Sequence, residues 1–377
     1  MFSPSTASND HPSGTLALLV PGDLETQTGG YIYDRRLVDG LAHLGWQVQV
    51  HSLDSSFPLP TAAALAHARS VLAGIPDGRI VVIDGLALGS LSTLLEPEAT
   101  RLHLVALIHH PVAMETGLDA DRARTFREME RASLRFTRRV VVTSPWTSRK
   151  LADYGVATDR IRVVVPGVDV VSVRTGQQKA RTNSLNRDES GKPSLNLLSV
   201  AALTPRKGHD VLVNALAELG DKPWHLYCAG SMTRDPGTSD RLRRQIDRLG
   251  LGLRISLLGE VDRSELDRLY ACADLFVLAS HLEGYGMALA EAIACGLPVV
   301  GTVAGAIPET VPANAGVLVP PGDARALAEA LAKLMDDPDA LGRLASNALA
   351  ARDQLPTWSQ ASELFAAAIE DLVSSES

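Results

Sequence analysis

The chain is expected to fold as an α/β protein of two Rossmann-like, doubly wound parallel-sheet domains facing across a cleft. Short apolar runs alternate with helical stretches along nearly its whole length, the pattern of parallel strands covered by helices. A polar segment interrupts that rhythm near the middle, over 172–195. A length of 377 residues also exceeds what one hydrophobic core fills, so two cores are the natural expectation.

Residues 1–14, MFSPSTASNDHPSG, read as a disordered tail, since no basic stretch precedes an apolar run as it would in an export signal. A first domain then occupies 15–171. Its strands are TLALLV (15–20), QVQVHSL (47–53), RIVVID (79–84), LHLVALIHH (102–110), RVVVTS (139–144) and IRVVVPG (161–167), with helices near 31–44, 61–73 and 120–137. The 172–195 segment is rich in Ser, Lys, Arg and Asn and lacks apolar periodicity, which reads as a linker or surface insert. A second domain, 196–355, repeats the plan with strands at 195–201, 224–230, 254–259, 274–280 and 297–302 and helices near 208–219, 238–249 and 286–295. The last stretch, 356–374, carries Trp358 and an apolar face and is expected to return to the first domain.

Composition narrows the class of function. A formal charge of -8 argues against a nucleic-acid partner. Cys228, Cys272 and Cys295 lie far apart without metal-ligand spacing, so buried reduced thiols and a cytoplasmic setting are expected. No run approaches the roughly 20 apolar residues of a membrane span. No G-x-G-x-x-G follows the first strand, which argues against a dinucleotide-dependent dehydrogenase.

In open α/β sheets, ligands collect at the carboxyl ends of the strands, where helix amino ends present free N–H groups. The stretch EGYGMALAEAIACGLPVV, 283–300, lies at such a place. Gly284 and Gly286 let the backbone approach a ligand, and the amides around Tyr285, Gly286, Met287 and Ala288 would point at a phosphate. Glu283 falls in the loop and Glu291 in the helix, where a carboxylate suits a ribose diol. The same spacing also fits a turn cap at Glu283 and a surface acid at Glu291.

Those two glutamates, separated by seven residues and followed by AIACGLPVVGTVAGAIPE, resemble the signature of the retaining glycosyltransferases of family 4, which have the GT-B fold. SVAALTPRKGHDVL (199–212), TGGYIYDRRLVDGLAHLGWQVQV (28–50), SPWTSRKLADYGVATDRIRVVVPGVD (144–169) and GVLVPPGDARALAEAL (316–331) resemble further segments of that family in order. The resemblance implies that Glu291 holds the nucleotide ribose, Glu283 the donor sugar and Lys207 the diphosphate. Lys207 would thus stabilise the leaving group as the glycosidic bond breaks. Where the family places an arginine five residues before that lysine, this chain has Ala202. Arg206 replaces its charge if the loop turns it inward, and is solvated if not.

The family commonly has a histidine where His109 and His110 stand, near the donor sugar or phosphate, which implies a catalytic histidine here; the residues alone also fit a structural pair bonded to backbone. Strand alternation would turn one of them inward, with His110 favoured, and Glu115 in the same loop is a candidate to orient the acceptor or a histidine. Gly29, Gly30 and Asp84 are candidates at the acceptor side, Gly30 also for the donor, and Leu258 for base contacts. Asp119-Ala120-Asp121 spells a metal motif but opens a helix, where acids cap amides, so no metal and no cofactor are expected. Arg124, Arg127, Arg131, Arg135 and Arg138 are spaced to share one face of the 120–137 helix, which reads either as a solvated face paired with Glu128 and Glu130 or as a peripheral contact with an anionic inner-membrane surface.

The implied activity is transfer of a hexosyl group from a UDP- or GDP-sugar to a hydroxyl of a saccharide, lipid or small molecule. Two alternatives keep the fold: a non-catalytic sugar-nucleotide-binding regulator, and a nucleotide-sugar epimerase.

Overall fold

The computed structural model describes residues 14–169 and 194–374. The expected tail and most of the 172–195 segment lie outside the described residues. The first sheet contains β1 (Thr15–Pro21), β2 (Gln47–Leu53), β3 (Ile80–Asp84), β4 (His103–Ile108), β5 (Arg139–Val142) and β6 (Ile161–Val163), all parallel, in the order β2-β1-β3-β4-β5-β6. The central strands β3 and β4 are buried along their whole length, as expected of a parallel sheet covered on both faces, whereas edge strand β2 is largely exposed or half-buried.

The second sheet contains β7 (Leu195–Val200), β8 (Trp224–Ala229), β9 (Ile255–Gly259), β10 (Leu275–Val277), β11 (Val299–Thr302) and β12 (Gly316–Val319), in the order β12-β11-β10-β7-β8-β9. Strand β12 was not expected: it is a four-residue edge strand followed by Pro320-Pro321-Gly322, so the turn signal dominates its sequence.

Counted from its own first strand, the second sheet follows the order 3-2-1-4-5-6 in mirror listing, and the first sheet follows 2-1-3-4-5-6. The first half therefore departs from the Rossmann order in its first three strands. Each sheet nevertheless has one point at which its connections part to opposite sides, β1/β3 in the first and β7/β10 in the second, and a crevice opens at such points.

The Trp358–Ser374 helix returns to the first sheet. Ala361, Phe365 and Ile369 pack with Leu16, Leu18, Tyr33 and Leu37. The approach requires small partners: a Cβ on Gly167 would lie 2.2 Å from the Trp358 backbone nitrogen. Trp358 meets Tyr33 edge-on at 5.9 Å, and the Tyr33 hydroxyl donates to the Val164 carbonyl at 2.9 Å. Among the described residues no helix is long and apolar enough to cross a membrane.

The arginine-bearing helix is shorter than expected, Ala120–Leu134, so Arg135 is its C-cap and Arg138 lies beyond it, half-buried at the start of the β5 segment. Arg124, Arg127, Arg131 and Arg135 are exposed. Glu130 is not one of their surface partners. It is 3% exposed and turned into the protein. Asp119 caps the helix by accepting from the Arg122 amide at 2.8 Å.

Phe365 is 1% exposed at the centre of the returning helix. Phe365→Ala should destabilise the chain by about 3–5 kcal/mol, read as a lower urea midpoint. An unchanged midpoint would show that the helix contributes no stability where it packs.

Candidate functional site

The residues singled out in the sequence gather at the two switch points. On the second half, β7 runs into a turn in which Gly208, at φ 65, lets the chain pass against the Ala279 carbonyl. This brings Lys207 under the loop that follows β10. Lys207 Nζ lies 2.6 Å from Glu283 Oε1, and the Ser280 hydroxyl donates to the same oxygen at 2.6 Å. Burial would raise the Glu283 carboxyl, but Lys207 and Arg206 outweigh it and hold the group at about 2. Lys207 is moved downward, since burial outweighs the attraction of Glu283. The pair is ionic, and the lysine is the weaker-held charge.

Arg206 is turned inward and is 19% exposed at its side chain. Its Nη1 donates to the Leu282 carbonyl at 2.9 Å and lies 3.5 Å from Glu283, while Nε lies 3.1 Å from Glu115 of the first half. Glu115 in turn lies 3.2 Å from His110 Nε2. Burial works against its charge, but the His110 contact and Arg206 hold Glu115 at about 2. His110 is moved downward chiefly by burial, against the pull of Glu115.

The Met287–Ala294 helix starts at Gly286, φ 96, with no side-chain cap, leaving its first N–H groups directed at the cleft. Opposite it, Thr28 precedes the Gly29–His43 helix, also without a side-chain cap. A Cβ on Gly29 would lie 3.8 Å from Met287 Sδ, so the two helix amino ends face each other. Opposed positive helix ends favour an anion between them. Glu291, further along the Met287–Ala294 helix, accepts from the Tyr270 hydroxyl at 2.8 Å and lies 4.0 Å from Arg263. Burial moves its carboxyl upward, against the pull of Tyr270 and Arg263.

On the first half, His109 and His110 both follow the end of β4 at Ile108, so strand alternation does not govern them. Both side chains are half-buried. His109 lies 3.2 Å from Asp34 Oδ1 and 3.3 Å from Asp84 Oδ2, and a Cβ on Gly30 would lie 3.3 Å from its ring. Asp84 also accepts from the Leu86 amide at 2.7 Å, so it is a helix cap and a histidine partner buried beneath the cleft. Among the described residues, Asp34, Asp84 and His109 are the three side chains whose ligand atoms converge closely enough, within 4.8 Å, to admit a cation.

The remaining candidates are placed as follows. Gly284 is a contact between the halves, since a Cβ there would lie 2.1 Å from the His109 carbonyl oxygen. The Tyr285 ring packs with Val168 and Leu355, and its carbonyl accepts from Thr310 at 2.5 Å. The Ala288 carbonyl accepts from Tyr270 at 3.3 Å. Leu258 is exposed near the end of edge strand β9.

Sequence reasoning missed four participants. Asp34 stands four residues after Gly30, one turn along the same face, a spacing that would have flagged it. Glu130 accepts from the Val112 amide at 2.6 Å and the Ala113 amide at 3.3 Å, fixing the turn that leads to Glu115. Its burial lifts the carboxyl to about 7 despite those bonds. Arg263 joins Glu291 to Asp169 at 3.3 Å, and Asp169 also pairs with Arg36 of the first half. Glu309 pairs with Arg149 and accepts from the Trp146 amide at 2.9 Å, a third link between the halves.

Comparison with known proteins gives this geometry a family. The family description Glycosyltransferase Family 4 matches residues 29–171, and Glycosyl transferases group 1 matches residues 182–350. The chain belongs to the family 4 glycosyltransferases. This glycosyltransferase is 28% identical over 320 residues to an MMP alpha-(1->4)-mannosyltransferase of Mycolicibacterium hassiacum, covering 81% of this chain and 73% of that protein. It is 30% identical over 261 residues to a D-inositol 3-phosphate glycosyltransferase of Corynebacterium efficiens, covering 66% of this chain and 61% of that relative's length. Among solved structures, sucrose-phosphate synthase from Thermosynechococcus elongatus superposes with a TM-score of 0.79 at 22% identity, covering 97% of this chain and 100% of that one. HepE of Anabaena, in complex with UDP and glucose, gives 0.74 at 20% identity, covering 95% and 99%. The two parallel sheets are thus the GT-B architecture that the sequence led one to expect.

The buried Lys207–Glu283 pair has a stability signature. Glu283 is depressed from an ordinary 4.5 to about 2, so its contribution is present above 4.5 and lost as pH falls through about 2. Glu283→Gln leaves Lys207 without its counter-charge and should cost about 3–5 kcal/mol at pH 7. The gap from wild type should narrow below pH 4.5 in urea unfolding, and a gap independent of pH would contradict the ionic pair.

Proposed function

We propose that this glycosyltransferase moves a hexosyl group from a UDP- or GDP-sugar to an acceptor hydroxyl with retention of anomeric configuration. The observation that carries the reading is the uncapped amino end of the Met287–Ala294 helix beside Lys207 and Arg206, with the Glu291 carboxylate further along that helix. An anionic diphosphate fits between helix N–H groups and two cations, and a carboxylate within reach of it accepts from a ribose diol. Glu283 retains one oxygen, Oε2, beyond its bond to Lys207, with only the 3.5 Å contact to Arg206, and this oxygen is assigned to a hydroxyl of the donor sugar.

The chemistry asked of the protein is positioning and charge stabilisation. Lys207, Arg206 and the helix amides take up charge on the departing nucleoside diphosphate as the sugar–oxygen bond breaks. The leaving phosphate accepts the acceptor's proton on the same face, so no side-chain nucleophile is needed. His110 and Glu115, on the loop after β4, orient the acceptor, which is a saccharide, a lipid or a small molecule. Chemistry without a metal is part of the proposal. HepE of Anabaena, which shares this fold, is solved in complex with UDP and with UDP-glucose, and this supports a nucleotide-sugar donor.

Nucleoside diphosphates and their sugars, screened by thermal shift, should raise the melting temperature selectively for one base. Glu291→Ala should weaken nucleoside diphosphate binding about tenfold to a hundredfold by removing hydrogen bonds to a charged acceptor. Lys207→Ala should lower turnover about 100-fold to 1,000-fold. No stabilisation by any nucleoside diphosphate would defeat the proposal.

A further inference from the structure

One buried cluster in the first half has no part in the donor site just described. Asp34 is 1% exposed, and neither of its oxygens has a hydrogen-bond donor among the described residues. A buried carboxylate in that condition is costly, so a neighbouring charge must offset it. Arg35, the next residue, directs its guanidinium to the Leu24 and Thr26 carbonyls and to Gln27. His109 is the cationic group that meets Asp34. Its Nε2 stands 3.2 Å from Asp34 and 3.3 Å from Asp84, at ion-pair distance though off the direction of a well-aligned hydrogen bond.

We propose that Asp34 and Asp84 are positioning residues that hold His109 as an imidazolium at the amino end of the Gly29–His43 helix, giving the first half a fixed cation in the cleft from which an anionic leaving group departs. The leaving-group part rests on the transferase reading above. Burial and the positive end of the helix both oppose a charge on this ring, which is why two carboxylates are needed. Burial does act downward on His109, yet Asp34 and Asp84 outweigh it and move the imidazole upward; Asp34 is moved upward by burial and pulled back by His109.

The ring is also fixed in place. Gly30 is in contact with one side, Tyr33 meets it edge-on at 5.4 Å, and the His109 carbonyl accepts from Thr143 at 3.1 Å. The titratable groups facing it are Asp34 and Tyr33 from the helix, Asp84 from the end of β3, and His110 with its partner Glu115 from its own loop. From the second half the Gly284 backbone approaches, without a charge.

Histidine-selective NMR of the full chain, with His109→Gln used for assignment, measures the state of the ring directly. In the wild type His109 should remain protonated above pH 8, and in Asp34→Asn its midpoint should fall by at least one pH unit, a tenfold change in acid constant. The high-pH limb of donor turnover should move down with it. If Asp34→Asn fails to fold by circular dichroism, Asp84→Asn carries the test, because asparagine still caps the helix. A wild-type midpoint near 6.5, a midpoint unmoved by both variants, or selective perturbation of the His109 signal by 1 mM Mn²⁺ would overturn the proposal, the last by making a cation the occupant. Absence of turnover with every nucleotide sugar would defeat the transferase reading, while the NMR midpoint would still decide the state of His109.

Discussion

The buried contact between Lys207 and Glu283 is the constraint on which the second half of the site depends. The lysine comes from the turn after β7 and the glutamate from the loop after β10, the two strands between which the sheet changes direction. Removing both charges from water is expensive, and the 2.6 Å contact with a second bond from Ser280 offsets that cost only while both loops keep their present course. Gly208 and Gly305 allow that course: a Cβ on either would lie 2.1 Å from a backbone oxygen, of Ala279 and of Glu283 respectively. The pair therefore fixes a cation near the start of the Met287–Ala294 helix, which has no side-chain cap. For the diphosphate that the proposed transfer requires, charges would already be in position, so little reorganisation would be needed when the bond breaks.

A second chain of polar side chains joins the halves. His110, Glu115, Arg206 and Glu283 stand in succession, the first two from the loop after β4 and the last two from the second half. Glu130 fixes the turn that leads to Glu115 from below. The Arg36–Asp169–Arg263 contacts reach Glu291 from the other side, and Arg149–Glu309 adds a third link. Partly exposed pairs of this kind contribute little stability one by one. Their value lies in geometry, since they set how the loop after β4 stands relative to Glu283 and Glu291.

Much of this was legible in the linear chain. Eleven of the twelve strands follow from apolar runs, and the short edge strand Gly316–Val319 does not, because its four residues merge with a Pro-Pro-Gly turn. Glu283, Glu291, Lys207 and the glycines at 29, 30, 284 and 286 were recognisable from residue type, spacing and resemblance. Asp34, Glu130 and Arg263 were not, since each is an ordinary polar residue on an amphipathic helix until its partner is known. Glu130 shows the difficulty most plainly: by periodicity it belongs with the surface arginines, yet it is buried against the Val112 and Ala113 amides.

The sequence alone determined that there are two parallel-sheet halves and which loops follow the carboxyl ends of their strands, because strand and helix periods and glycine placement are local properties of the chain. Only the tertiary structure decided that Arg206 turns inward, that His109 meets two aspartates while His110 meets Glu115, and that the first sheet follows a different strand order from the second. Those outcomes depend on which distant carboxylate a side chain meets once water is excluded. Electrostatic pairing in a buried cleft is set by contacts between residues remote in sequence, and local pattern carries no record of them.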